Sequence, residues 1–496
     1  MSNVVSQVVY RPARRHPDRP AVITRTGEVF SYAQAAEAVG QLAWHLRTQG
    51  IRPGQVVGVS MSGHSLHLLT LLALAQVGAV SLPLHPAAPA ERRLLAARTF
   101  GATCVVSESR DLALAGLTFI GLDRSEFRSD GPSDRDVHPT SPDDPMHIMV
   151  SSGTSGDPKA MVWTHGNVAR RNQTFEPGGD SLKRVLQMDL NFFVGFGPAL
   201  RALAHADALV FPMSPSAEHV LLTLITQKIT HAYLSPHQAS LLAGLVGANV
   251  ANACPDLVSL RVVGERLNAQ QLQALRRRLT PNVYVAYGAV EAGVATLATP
   301  DMLERHPETV GAPSAWAEVQ VIDAAGAPVP AGTVGEIRIR STQQVSGYHL
   351  DEARTQARFR DGWFHPNDRG HVDAEGLLYI EGRVDDMINV GGAMVDAEDV
   401  ERTLCAHPAV REAGAFVHAR ADGQAFLSAA LVLADAGRLA EVQAYAQAKL
   451  GPLAPVHYVL ASALPRTATG KIQRRLLAAA FPPTRADAAS PRRPAV

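Results

Sequence analysis

Cysteine is scarce in this 496-residue chain. There are three, Cys104, Cys254 and Cys405, far apart in sequence. That excludes a disulfide framework and a paired-cysteine metal site, and it suits a reducing compartment. Net charge is missing too: Lys plus Arg and Asp plus Glu each number 46. No bulk field therefore draws the chain to nucleic acid or to an anionic membrane. Long unbroken apolar runs are also absent. The longest stretch, LHLLTLLALAQVGAVSLPL, is interrupted by His67, Gln76 and Gly78. It reads as a buried helix followed by a strand, not as a membrane span. The first twenty residues hold no apolar core of signal-peptide length. There is no internal repeat. The pair His64 and His67 lies at helical spacing without a third ligand nearby, so both read as ordinary helix residues. The expectation is a cytoplasmic protein of ordinary composition, 46% hydrophobic and 19% charged, and too long for one compact core.

What is present is alternation. Helical spacing over 33–49 is followed by the strand-like QVVGVSM, then by HSLHLLTLLALAQVG as helix and AVSLPL as strand. The same alternation continues through PAERRLLAARTFG and ATCVVS, and resumes after residue 180 as far as VYVAYG. This predicts α/β structure with doubly wound parallel sheets. From about 310 the texture changes to short strands, AEVQVID, GEIRIRS and GLLYIEGR, as in a small barrel or meander. A compact α+β segment follows EGRVDD. The expected domains are a large one over 1–382, a small mobile one over 383–480, and a Pro-, Ala- and Arg-rich tail over 481–496 expected to be disordered.

One stretch stands apart: SSGTSGDPKAMVWTHGN, residues 151–167, directly after the apolar PMHIMV. A Gly-, Ser- and Thr-rich loop after a strand can aim several N–H groups and hydroxyls at one anion. Lys159 adds positive charge, and a phosphate chain is the natural ligand. The order of residues is not that of a Walker loop, which needs Gly-Lys-Ser/Thr opening a helix. Taken alone, the segment also reads as a Ser/Gly-rich surface loop.

Further segments give it company, in order: AYGAVEAG at 286–293, GEIRIRS, GWFHPNDRG, GRVDDMINVGGAMVDAEDVE and PRTATGKIQRR. Together with the loop, they resemble the motifs of the adenylate-forming superfamily of acyl-CoA synthetases, peptide-synthetase adenylation domains and luciferases. The resemblance covers roughly residues 20–480. It implies ATP-dependent conversion of a carboxylic acid to an acyl-adenylate with release of pyrophosphate, then transfer to a thiol. It implies that Ser152, Gly153, Thr154, Ser155, Gly156 and Lys159 cradle phosphates, and that Glu291, with Thr154, holds Mg²⁺. Tyr287 and Gly288 would take the adenine, beside Gly264 and Glu265. Asp368 would take the ribose hydroxyls and Arg383 ribose or phosphate. Asp385 would be the hinge, and Lys471 would bridge carboxylate and α-phosphate. Without the resemblance, Glu291 also reads as a helix-start residue, Tyr287 as core, Asp368 as a turn residue and Lys471 as solvated. Four departures stand out: Ala160 for Gly, Val290 for Thr, Pro366-Asn367 for Thr-Gly, and Asn389 for Lys.

The acid pocket should follow the phosphate loop. CoA ligases carry a His there and amino-acid activators an Asp; this chain has MDLNFF over 188–193. Asp189 matches the aspartate that pairs an α-ammonium, and it also reads as a cap on the following turn. Phe192, Phe193, Val194 and Gly195 would line a mostly apolar pocket in either case. Gly391 and Gly392 would leave room for a pantetheine arm, whether of CoA or of a carrier protein acting in trans. Two other readings stand beside acyl-thioester formation with CoA. One is a stand-alone amino-acid adenylation enzyme; the other is a nucleotide-binding protein that has lost catalysis.

Overall fold

The computed structural model describes residues 3–62, 64–122, 132–152, 158–173, 181–247, 249–264, 267–383, 387–390, 393–419, 425–467 and 472–482. The chain divides into two compact units. The first comprises 1–307, 313–318 and 339–364; the second comprises 308–312, 319–338 and 365–496.

Two sheets organise the first unit. One contains β1 (Pro20–Ile23) and β2 (Val29–Ser31). The other contains β3 (Val56–Val59), β4 (Val80–Pro83), β5 (Cys104–Ser107), β6 (Thr118–Gly121), β7 (Pro145–Ser152) and β8 (Pro158–Thr164), in spatial order β6-β5-β3-β4-β7-β8. It is parallel except for the β7/β8 hairpin. The β1/β2 sheet continues with β9 (Arg184–Leu186), β10 (Ala208–Val210), β11 (His231–Leu234), β12 (Ser259–Val263), β13 (Val283–Ala289) and β14 (Gly293–Ala298). Their spatial order is β14-β13-β12-β11-β9-β10-β1-β2. The six inner strands run parallel, and the antiparallel β14 and β2 flank them. The alternation of the sequence predicted β3, β4, β5, β11, β12 and β13, but not β1, β9 or β10. It gave no sign of β14, whose VATLA run follows β13 through a tight turn rather than a helix.

The helix Ser65–Val77 is buried along its whole length, which explains why its apolar residues show no one-sided pattern. It packs in a core with Leu42, Leu46, Val57, Trp163 and Phe196. Among the described residues no helix is long and apolar enough to cross a membrane.

In the second unit, Asp368–Val372 and Leu378–Arg383 form an antiparallel hairpin, and Met387–Val390 pairs with Ala393–Asp396. A three-stranded sheet of Val410–Ala419, Ala425–Leu433 and His457–Leu460 lies against the helices Ala397–Cys405 and Leu439–Leu450. Val400 and Leu404 close that core on Ala415, Ala429 and Leu431. The strands expected after residue 310 are present as Ala317–Ile322, Gly335–Ser341 and Leu378–Arg383.

Candidate active site

In an open parallel sheet, ligands sit outside the carboxyl ends of the strands. In the first unit these ends carry most of the residues singled out from the sequence. The hairpin β7/β8 aligns Ser151 with Lys159 and Ser152 with Pro158, so it flanks the Gly- and Ser-rich loop on both sides. Gly153, Thr154, Ser155 and Gly156 lie outside the described residues. Lys159 stands with its ammonium 6.0 Å from the Tyr348 ring centroid.

Glu291 sits in the turn between β13 and β14, not at a helix start. It is buried, and its Oε1 accepts a 2.7 Å hydrogen bond from the Tyr348 hydroxyl. Burial first, and then the Glu291 charge, hold the Tyr348 phenol well above its ordinary pKa, so it remains a donor. The Glu291 carbonyl accepts Val345 N–H at 2.8 Å. Among the described residues no group of three or more His, Cys, Asp or Glu is gathered to cage a metal ion. A single buried carboxylate nevertheless fits Mg²⁺, which is commonly held by one or two carboxylates with phosphate oxygens and water.

β12 and β13 pair in parallel with Val263 opposite Ala286, which sets Gly264 beside Tyr287 at neighbouring strand ends. Tyr287 is half-buried opposite Thr296. The register shifts at Gly288, where a Cβ would run into the Gly293 carbonyl oxygen. The site thus needs a residue without a side chain at that point. Glu265 lies outside the described residues.

Asp189 follows β9. Its Oδ1 accepts from Asn191 N–H at 2.9 Å and from Asn191 Nδ2 at 2.8 Å, so it does cap the following turn. Its Oδ2 lies 3.2 Å from His85 Nε2. Ala87 N–H donates to His85 Nδ1 at 3.1 Å. That nitrogen is therefore an acceptor, and the ring proton sits on Nε2, facing Asp189. Burial pushes the Asp189 carboxyl up. The bonds from His85 and Asn191 together outweigh it and hold the group below the usual carboxylate range. Phe192 packs on His85 with ring centroids 5.5 Å apart. Gly195 is buried, and a Cβ there would run into the Asp189 carbonyl oxygen. It lets the helix Phe193–Ala204 close onto the Asp189 turn, so its part is backbone approach as well as lining.

Arg171 ends the helix His165–Arg171 and is buried. Its guanidinium donates to the Val290 and Gln343 carbonyls, each at 2.9 Å. It lies 4.4 Å from the Trp163 ring centroid and 5.6 Å from that of Phe193. Burial pulls its pKa down to about 9, which leaves it cationic at neutral pH. Val290, where Thr is usual, packs on the apolar core.

The second unit holds the Asp368 group. Asp368 and Arg383 are cross-strand partners, and Arg383 Nη1 donates to Asp368 Oδ1 at 3.0 Å. Arg383 Nη2 also reaches the Pro366 carbonyl at 3.3 Å. Asn367 has φ +65°, a left-handed conformation that Gly adopts without cost and Asn tolerates. This explains how Asn replaces Gly at that position. The hinge Asp385, Gly391, Gly392 and Lys471 lie outside the described residues.

Sequence reasoning missed His85, Arg171 and Tyr348, which stand in no motif. It read His64 and His67 as plain helix residues. His64 pairs with Glu108, while His67 is fully buried with neither ring nitrogen partnered among the described residues. Burial pulls His67 down to about 4, so it is neutral.

The AMP-binding enzyme family matches residues 9–349, and the AMP-binding enzyme C-terminal domain matches 399–471. Phosphinothricin tripeptide synthetase PhsC of Streptomyces viridochromogenes is 28% identical over 94% of this chain, which spans 44% of that protein. The chain likewise spans 8% of tyrocidine synthase 3 of Brevibacillus parabrevis, at 24% identity over 95% of its own length. Feruloyl-CoA synthase of an Amycolatopsis species is 29% identical, over 93% of this chain and 96% of that protein. Among solved structures, ATP-bound MatB from Rhodopseudomonas palustris superposes with a TM-score of 0.85 at 22% identity, over 97% of this chain and 99% of that one. The amide bond synthetase McbA from Marinactinospora thermotolerans gives 0.83 at 23% identity, over 96% and 99%. At such identity the likeness speaks for the fold.

Proposed function

Because the chain belongs to the AMP-binding enzyme family, we propose that it activates a carboxylic acid with ATP. A carboxylate oxygen attacks the α-phosphorus, pyrophosphate leaves, and the acyl-adenylate then passes its acyl group to a thiol, releasing AMP. The thiol belongs to CoA or to the phosphopantetheine of a carrier protein. The observation that carries this reading is the Glu291 group: a buried carboxylate, oriented by Tyr348 whose ring lies under the Lys159 ammonium, at the carboxyl end of β13.

In this reading Lys159 and the loop 152–156 neutralise phosphate charge. Glu291 and Thr154 hold Mg²⁺, which supplies further positive charge to the phosphate oxygens. Tyr287, Gly288, Gly264 and Glu265 receive the adenine. Asp368, kept in place by Arg383, accepts from the ribose hydroxyls. Residues 383–480 act as the mobile small domain. Its Lys471 stabilises charge as the carboxylate attacks, and rotation about Asp385 exchanges the first half-reaction for the second. The test is ATP–pyrophosphate exchange across a panel of aryl, fatty and amino acids. Exchange stimulated by one acid supports acid activation; a silent panel, with ATP still bound, favours a non-catalytic nucleotide binder.

A second reading has its own support. Asp189 is held below the usual carboxylate range, so it is ionised at neutral pH and attracts a cation. An amino acid bearing an α-ammonium suits that charge, with a carrier protein as acceptor. The relatives named as peptide synthetases and those named as CoA ligases divide on the same point.

A further inference from the structure

Arg171 is a buried cation at a place where no substrate group is needed to explain it, and it rests on the acid-activation reading for its meaning. Burying a guanidinium is costly unless its charge is answered. Here the partners come from two directions. On one side are the aromatic faces of Trp163 and Phe193, at 4.4 and 5.6 Å. On the other are the carbonyls of Val290 and Gln343, both at 2.9 Å. Phe193 belongs to the wall proposed for the acid, and Val290 adjoins the proposed metal carboxylate Glu291. The same helix also grips the segment after the strand Gly335–Ser341, through Asn167 Nδ2 to the Gln344 carbonyl at 3.0 Å and Arg170 Nε to the Thr342 carbonyl at 2.7 Å. Those two bonds anchor the helix. Arg171 extends the grip to the turn itself, where the Val290 carbonyl has a guanidinium partner and the Glu291 carbonyl takes Val345 N–H at 2.8 Å.

We propose that Arg171 is a positioning residue that fixes the Val290–Glu291 turn through the Val290 carbonyl while stacking on Phe193, so that the acid wall and the metal carboxylate are held in one rigid group. A side chain that only filled space would need no charge. The guanidinium does two things a neutral side chain cannot do together: its Nη2 donates to both carbonyls, and its positive carbon lies over two aromatic rings. The Glu291 charge favours keeping Arg171 protonated, which ties the two groups electrostatically as well.

The test compares Arg171→Met, which keeps length and apolar contact, with Arg171→Lys, which keeps charge but not the fork. Calorimetric titration of Mg–ATP needs no turnover and is read first. Arg171→Met should weaken Mg–ATP binding at least tenfold and raise the Mg²⁺ needed for half-saturation, with Arg171→Lys between it and the wild type. In exchange assays its kcat/KM should fall at least tenfold. Combined with Tyr348→Phe, which loosens the same Glu291, the losses should fall clearly short of multiplying. Multiplying losses, or Mg–ATP affinity and Mg²⁺ demand within twofold of the wild type in the Met variant, overturn the proposal. If Arg171→Met does not fold, Arg171→Lys carries the same cycle. A wild type that binds Mg–ATP but exchanges with no acid removes the acid-activation reading, while the calorimetric comparison still decides the role of Arg171.

Discussion

Replacing Tyr348 with Phe removes one oxygen and little else. The ring keeps its place against Phe359, 5.7 Å away between centroids, and beneath the Lys159 ammonium. What is lost is the 2.7 Å bond to Glu291 Oε1, between two residues only 7% and 8% exposed. A hydrogen bond to a charged group contributes about 1.5–3 kcal/mol, and here water is poorly placed to replace it. Unfolding free energy in urea at pH 7 should therefore fall by that amount. Without that donor the carboxylate is no longer held in one orientation, so half-saturating Mg²⁺ in the exchange assay should rise. Stability within about 0.5 kcal/mol of the wild type, with the same Mg²⁺ demand, refutes the claim that Tyr348 orients Glu291.

Other outcomes follow from the same geometry. His67 and His147 are buried and neutral, drawn by desolvation to about 4 and about 3. Their folded values lie below the unfolded value, so their contribution is complete above about pH 6.5 and is lost as pH falls toward 4, by roughly 2 kcal/mol each between pH 6.5 and 5. His147→Leu should flatten the stability-against-pH slope in that window by about one proton, measured by urea unfolding; an unchanged slope contradicts the assignment. Asp368→Ala leaves Arg383 without its cross-strand carboxylate and should raise the KM for ATP and lower kcat, by about 1.5–3 kcal/mol in kcat/KM; unchanged ATP kinetics remove Asp368 from the site. Asp189→Ala should abolish exchange with an amino acid, and should spare most exchange with a simple aryl or fatty acid; an amino acid used equally well by the variant ends the ammonium reading. Lys471→Ala should slow adenylation about a hundredfold or more while ready-made acyl-adenylate still reacts with the thiol; equal slowing of the two halves contradicts the two-conformation scheme.

The sequence made the fold legible where local patterns follow tertiary roles. Parallel strands read as short apolar runs between helices, and β3, β4, β5, β11, β12 and β13 were visible for that reason. The antiparallel β14 was not, because its pairing with β13 is decided by a turn rather than by periodicity. Asp368 and Glu291 were singled out by their motifs. Their partners were not: Arg383 was expected to reach the nucleotide, and its bond to Asp368 depends on cross-strand register. Tyr348 lies 57 residues from Glu291, and no spacing rule links them. His85 faces Asp189 because β4 and β9 end on the same side of the first unit, a fact of topology. The helix-start reading of Glu291 failed since β13 turns directly into β14. For Asp189 the structure shows the cap through Oδ1, while Oδ2 faces His85.

The central claim is that a carboxylate oxygen becomes bonded to the α-phosphorus. It is tested most directly with the acid that supports exchange, labelled with ¹⁸O in its carboxylate, in a full turnover to the thioester. Thiol attack on the acyl carbon cleaves the bond to that oxygen and leaves it on the nucleotide. Mass spectrometry should then find AMP carrying one ¹⁸O and pyrophosphate carrying none. Label in orthophosphate with ADP as the nucleotide product, or AMP without label, contradicts an acyl-adenylate.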